Sequence, residues 1–150
     1  MKVIIASDHA GFAYKTIFVK ELLEKGYEVI DLGTDSEKPT DYPDQAEDIA
    51  DTIINKKGER GIIICGSGVG VSIAANKFKS IRAGVCHDTY SAHQCVEHDD
   101  VNILCLGQRV IGIELAREII YTFLNARYTN APRHARRVEK IVAIEDKNMK

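Results

Sequence analysis

A cysteine followed by glycines at alternate positions, Cys65-Gly66-Ser67-Gly68-Val69-Gly70, is the stretch of this 150-residue chain best suited to chemistry. An ionised thiol is a nucleophile or a base, and glycines let backbone N–H groups close in on an anion. Cys65, with the amides of Gly66, Ser67, Gly68, Val69 and Gly70, is therefore a candidate proton-transfer site beside an anion-binding loop. A buried, inert cysteine on a strand-to-helix turn satisfies the same letters. Ser7-Asp8-His9-Ala10-Gly11 is a second candidate. Asp8 suits an acid, a base or an acceptor for a sugar hydroxyl, and His9 suits an anion near a helix N-terminus. Asp8 could equally be a helix cap.

Two more groups lie further along. Histidines titrate near neutrality, so His98, in Glu97-His98-Asp99-Asp100, suits proton donation to a sugar ring oxygen. A solvated histidine at a helix end is the plainer alternative. Arg133 and Arg137 stand four residues apart, which on a helix puts both guanidinium forks on one face. Such a face suits a phosphate dianion, or is merely solvated. The five histidines (His9, His87, His93, His98, His134) show no H-x-x-x-H or H-E-x-x-H spacing, so neither a metal nor another cofactor is expected.

Other uses of the glycine loop can be tested on the letters. Val71 stands where a C-x5-R phosphatase needs arginine, and no G-x-x-x-x-G-K-[ST] is present. The glycines run G-x-G-x-G, where a dinucleotide fingerprint needs G-x-G-x-x-G. Asp88 sits at a tolerable distance for a ribose-binding acid, so that reading is weakened and stays open. A redox-sensing thiol is a further alternative, although no second cysteine lies close to Cys65 in sequence.

The elements that must position these residues alternate. Apolar runs at Val3–Ala6, Glu28–Leu32, Gly61–Cys65, Ile81–Cys86 and Ile103–Leu106 read as strands. Between them, Ala13–Lys25 and Asp44–Lys57 have helical spacing and are stopped by Gly26 and Gly58. Further helices are expected over Gly70–Phe78, Thr89–His98, Ile113–Ala126 and Arg133–Asp146. Gly33–Pro43 is too polar and proline-broken for a regular element. This order predicts one domain over 1–150. Its expected architecture is a three-layer α/β/α, Rossmann-like fold with a five-stranded parallel sheet in flavodoxin-like order and an extra C-terminal helix. Asp8 and Cys65 then emerge at the same sheet edge, where such folds bind ligands.

The net charge of -2 offers no electrostatic case for nucleic acid, and no apolar stretch is long enough to span a bilayer. The N-terminus enters a strand pattern directly, with no signal peptide. The four cysteines (Cys65, Cys86, Cys95, Cys105) lack C-x-x-C spacing, so reduced thiols in a cytoplasmic protein are expected.

Taken together, S-D-H-A-G-F (7–12), D-L-G-T (31–34), T-D-Y-P-D (40–44), I-C-G-S-G-V-G-V-S-I-A-A-N-K (64–77), I-R-A-G-V-C (81–86), E-H-D-D-V-N-I-L-C-L-G-Q-R-V-I-G (97–112) and R-H-A-R-R-V (133–138) closely resemble the type B ribose-5-phosphate isomerase family. The resemblance covers nearly the whole chain. It implies a metal-free interconversion of ribose 5-phosphate and ribulose 5-phosphate through an enediolate. Within it, Cys65 matches the base and the amides of 66–70 the anion hole, with Ser67 standing where the family has Thr or Ser. Asp8 and His98 match the pair assigned to sugar hydroxyls and ring opening. His9, Arg109, Arg133 and Arg137 match substrate and phosphate contacts, and Tyr42 a pocket-lining residue. The resemblance further implies a homodimer or dimer of dimers with active sites shared between subunits. A hexose 6-phosphate isomerase (allose or galactose 6-phosphate) and a non-catalytic phospho-ligand-binding module are the alternatives. Two departures stand out. Asp99 replaces the family's usual Asn, which implies a weaker or altered substrate contact. Asn130-Ala131-Pro132 replaces Gly-Gly, with Pro132 expected to open the last helix.

Overall fold

Each apolar run becomes a strand, and the runs buried on both faces lie at the centre of the sheet. The computed structural model describes residues 1–149. In chain order the elements are β1 (Lys2–Ser7), α1 (Phe12–Glu24), β2 (Glu28–Gly33), α2 (Tyr42–Ile54), β3 (Arg60–Cys65), α3 (Val69–Ala75), β4 (Ala83–Val85), α4 (Thr89–Asp99), β5 (Ile103–Gly107), α5 (Ile113–Asn125) and α6 (Pro132–Asn148). Every strand pairing is parallel. The result is the expected α/β fold, with a five-stranded sheet between two helical layers and one helix beyond them.

The strand order is β2-β1-β3-β5-β4. The last two strands are exchanged relative to the flavodoxin-like order expected above. The physical reason lies in the crossovers. Right-handed crossovers oblige a helix to change face whenever the chain reverses its travel across the sheet. On one face, Phe18 and Leu22 of α1, Val96 of α4 and Ile119, Ile120 and Phe123 of α5 pack on Ile5, Ile62 and Leu104. On the other, Ile49 and Ala50 of α2 and Val71 and Ala75 of α3 pack on Ile4, Ile63 and Ile103. α3 therefore carries the chain outward to the edge, and α4 returns on the opposite face to insert β5 beside β3.

β4 is three residues long, shorter than its apolar run: the Ile81 N–H donates back to Phe78 O at 3.2 Å, and Cys86 gives β5 one last bond, to Cys105 O at 3.3 Å, where the strand ends. α2 begins at Tyr42, two residues earlier than expected, with Pro43 in its first turn, where a missing N–H costs nothing. Pro132 likewise opens α6, as expected. Lys15 of α1 is buried and its ammonium is paired with Asp31 at the end of β2. Among the described residues, no helix is long and apolar enough to cross a membrane.

Candidate active site

Connections leave β1 toward one edge of the sheet and β3 toward the other, so a crevice opens beyond their carboxyl ends. A cavity of about 440 Å³ lies there, lined by Asp8, His9, Tyr42, Cys65, Gly66 and Ser67, with Ala10, Gly70, Arg109 and Val110 completing it. Two larger clefts, of about 700 and 790 Å³, lie elsewhere: one beside Met1, Lys2 and Gly58, the other between α4 and α5. Neither contains a cysteine or the glycine loop.

Cys65 ends β3 with its sulfur buried, and the N–H of Gly68 donates to Sγ at 3.0 Å. Gly68 has φ +80°, a left-handed conformation that glycine adopts without strain. That turn points its amide back at the sulfur. The Val69 N–H is held by Ser67 Oγ at 3.2 Å. Beneath the loop, the Gly107 N–H donates to His87 Nε2 at 3.0 Å. Burial pushes the His87 imidazole below its ordinary 6.5, with Asp88 opposing, which favours the neutral ring that can accept this bond.

Asp8 is a cap and also lines the cavity. Its Oδ1 accepts the N–H groups of Ala10 (2.9 Å) and Gly11 (3.1 Å), capping a single 3-10 turn, while the residue lines the cavity. Gly11 brings that turn hard against β3, since a Cβ there would lie 2.1 Å from Ile64 O. His9 is fixed by the 33–43 loop, whose Thr40 N–H donates to its Nδ1 at 3.1 Å. The Tyr42 ring lies against Gly70, where a Cβ would come within 2.7 Å of it. The Arg109 N–H donates to Gly66 O at 3.1 Å, and its guanidinium lies over Gly66.

The other expected residues lie apart from this cavity. α4 runs back from the carboxyl edge, so His98 and Asp99 reach the amino edge of the sheet, where Arg82 Nε donates to Asp99 O at 3.1 Å. The two edges are separated by roughly 16 Å, the length of a five-residue strand. At the amino edge the His98 ring stacks on His134 of α6, with centroids 4.0 Å apart and planes 24° apart. Arg133 and Arg137 flank His134 on α6, both exposed. Within one chain, then, Asp8, His9, Tyr42, Cys65, the glycine loop and Arg109 form one group. His98, Asp99, Arg133 and Arg137 form another.

A model described as Ribose/Galactose Isomerase matches residues 3–141 of this chain. The chain belongs to the ribose/galactose isomerase family. Ribose-5-phosphate isomerase B of Escherichia coli (strain K12) is 48% identical over 146 residues, 97% of this chain and 97% of that protein. D-erythrulose-4-phosphate isomerase 2 of Mycolicibacterium smegmatis is 37% identical over 148 residues, again 97% of each. The solved structure of Clostridium thermocellum ribose-5-phosphate isomerase B superposes with a TM-score of 0.96 at 48% identity, covering 98% of this chain and 99% of that one.

In this member of the family, several residues that support the two groups escaped the sequence reading. Thr40 acts through its own main-chain N–H and His87 through the Gly107 N–H, contacts that no local pattern reveals. Gln94 sits four residues before His98, a spacing that could have flagged it, and its amide nitrogen lies 3.0 Å from His98 Nδ1. His134 stood in the R-H-A-R-R motif, but its partner His98 is remote in sequence. All four cysteines are free, and Cys105 is fully buried with its thiol pushed up by burial. Among the described residues, no three His, Cys, Asp or Glu side chains are placed to hold a metal ion.

Proposed function

We propose that this isomerase-family protein interconverts D-ribose 5-phosphate and D-ribulose 5-phosphate as a single cytoplasmic domain over 1–150. Cys65 serves as its base. Ribose 5-phosphate is mainly cyclic, and a ring has no carbonyl to acidify the C2 proton, so opening comes first. His98 donates a proton to the ring oxygen as its bond to C1 breaks, while Asp8 takes the proton of the C1 hydroxyl, whose oxygen becomes the aldehyde carbonyl. The Cys65 thiolate then takes the C2 proton, leaving a 1,2-enediolate whose charge is met by the loop amides of residues 66–70. Return of that proton to C1, with transfer of the O2 proton to O1, gives the ketose. His9, Arg109, Arg133 and Arg137 hold the phosphate and Tyr42 closes one wall.

This reading requires the two separated groups to meet across subunits, as a homodimer or dimer of dimers with shared sites. The observation that carries the function is the Cys65 sulfur at the floor of the switch-point cavity, with the Gly68 N–H aimed at it at 3.0 Å. A non-catalytic binding module has no use for a thiol there.

The test is turnover of ribose 5-phosphate by wild type and Cys65→Ala in EDTA, with allose 6-phosphate, galactose 6-phosphate and D-erythrulose 4-phosphate assayed alongside. Wild type should turn over the pentose phosphate undiminished by EDTA. The variant should lose about 10²–10⁴ in kcat, the usual contribution of a positioned acid or base. Preference for a hexose phosphate would move the substrate, and a folded wild type with no activity on any of them would defeat the proposal.

A further inference from the structure

His98 is gripped from two directions. Along α4, the Gln94 side-chain nitrogen lies 3.0 Å from His98 Nδ1. Across the helices, His134 covers the face of the ring at 4.0 Å. His134 is itself anchored: it is 3% exposed, its Nδ1 lies 2.7 Å from Thr129 Oγ1, and the Thr129 N–H donates to Glu97 O at 3.1 Å. The strap of residues 129–134 is thus pinned to the turn of α4 that carries His98.

The Gln94 carboxamide, turned about its last bond, either donates from its nitrogen to a bare Nδ1 or accepts an Nδ1–H at its oxygen, so in both states of the ring it occupies Nδ1 and leaves Nε2 as the free nitrogen. A ring stacked on a buried, anchored neighbour cannot tumble to exchange its two nitrogens. We propose that Gln94 and His134 are positioning residues that hold His98 with Nε2 as its proton-transferring atom. In the imidazolium Gln94 Oε1 accepts the Nδ1–H, and the neutral ring left when Nε2 gives up its proton keeps that bond as the Nδ1–H tautomer, with the Nε2 lone pair directed to regain a proton. Burial and the nearby His98, Arg133 and Arg137 charges hold His134 below the usual histidine range, with Asp99 opposing, so the stacking partner stays neutral while His98 cycles. The consequence for catalysis rests on the ring-opening role proposed for His98; the occupation of Nδ1 by Gln94 does not.

The experiment is ¹⁵N NMR of the histidine side chains, at a pH where His98 is neutral, in wild type, Gln94→Leu and Gln94→Glu, with kcat and KM for ribose 5-phosphate measured on each. Wild type should show the Nδ1–H tautomer, its Nε2 unprotonated. Gln94→Leu should show a mixture, and Gln94→Glu, which can only accept, should keep the proton on Nδ1. In Gln94→Leu, kcat should fall about tenfold with KM little changed, well short of the 10²–10⁴ lost when a general acid is removed outright. A wild-type proton on Nε2, or a tautomer indifferent to replacement of Gln94 by Leu, overturns the inference. A shifted tautomer with unchanged kcat overturns the positioning role. The predicted tautomers in a wild type that turns over no sugar phosphate would leave the assignment of the ring nitrogen standing and overturn the proposed reaction instead.

Discussion

Asp99 stands, inside the proposed site, where the family resemblance leads one to expect asparagine. A carboxylate accepts hydrogen bonds but cannot donate the amide N–H that asparagine offers, and it repels a phosphate or an enediolate. Asp99→Asn should therefore lower KM for ribose 5-phosphate, and steady-state kinetics across pH would show it. An unchanged kcat/KM at every pH would mean that residue 99 makes no substrate contact. His134 makes a second prediction at this scale. Its folded imidazole is held below 6.5, so the unfolded chain binds that proton more readily. The resulting stability is fully present above pH 6.5 and is lost as pH falls from 6.5 through the lower folded value. Urea midpoints measured down through this window should drop in wild type and drop less in His134→Gln. At the residue scale the sequence was most legible where topology alone brings groups together. Asp8 and Cys65 follow adjacent strands, and their meeting needs only the rule that parallel sheets bind ligands at carboxyl ends. The His98–His134 stack was not legible, because it joins two helices whose docking leaves no trace in local periodicity.

Elements hold the loop geometry through close backbone contact. β5 ends at Gly107, and a Cβ there would sit 2.7 Å from the Ser67 backbone. Gly107→Ala must push the loop that carries Ser67 and Gly68, and with it the N–H that meets Cys65. We expect kcat to fall by about 10², the cost of an ångström-scale misplacement. The accompanying loss of stability should be about 1–3 kcal/mol, as for other overpacked positions. Thermal unfolding and kinetics measured on the same preparation check the two together, and full activity would show that the loop has room to spare. Element order and type could be read from the chain: apolar runs gave strands, and Gly26 lies just past α1 as predicted, whereas α2 ends at Ile54, short of Gly58, with Lys56 left-handed at φ +56° beyond it. The exchange of β4 and β5 could not, since apolar periodicity records burial but not the side on which a crossover returns. The short β4 has a related cause. Ile81 is as buried as a strand residue, but its N–H turns back to Phe78 O instead of pairing with β5, a distinction that hydrophobicity cannot make.

At the scale of the whole molecule, one chain holds a base and anion loop at the carboxyl edge of its sheet and a histidine with two arginines at the amino edge. α6 stands outside the three layers, buries only His134 and leaves Ile141 and Ile144 exposed at 44% and 64%. On α3, beside the glycine loop, Val69 and Ile73 are exposed at 51% and 58%. These apolar surfaces adjoin both halves of the proposed site, which is what a two-fold assembly bringing the halves together would cover. The most direct test mixes two inactive variants, Cys65→Ala and His98→Asn, by co-expression or joint refolding, and measures ribose 5-phosphate turnover. If each site takes Cys65 from one subunit and His98 from the other, every mixed dimer carries one intact site. Random pairing then restores about a quarter of wild-type activity. If the mixture stays as inactive as its components although mixed dimers form, the two groups do not share a site, and the account of how this protein completes its active centre is wrong.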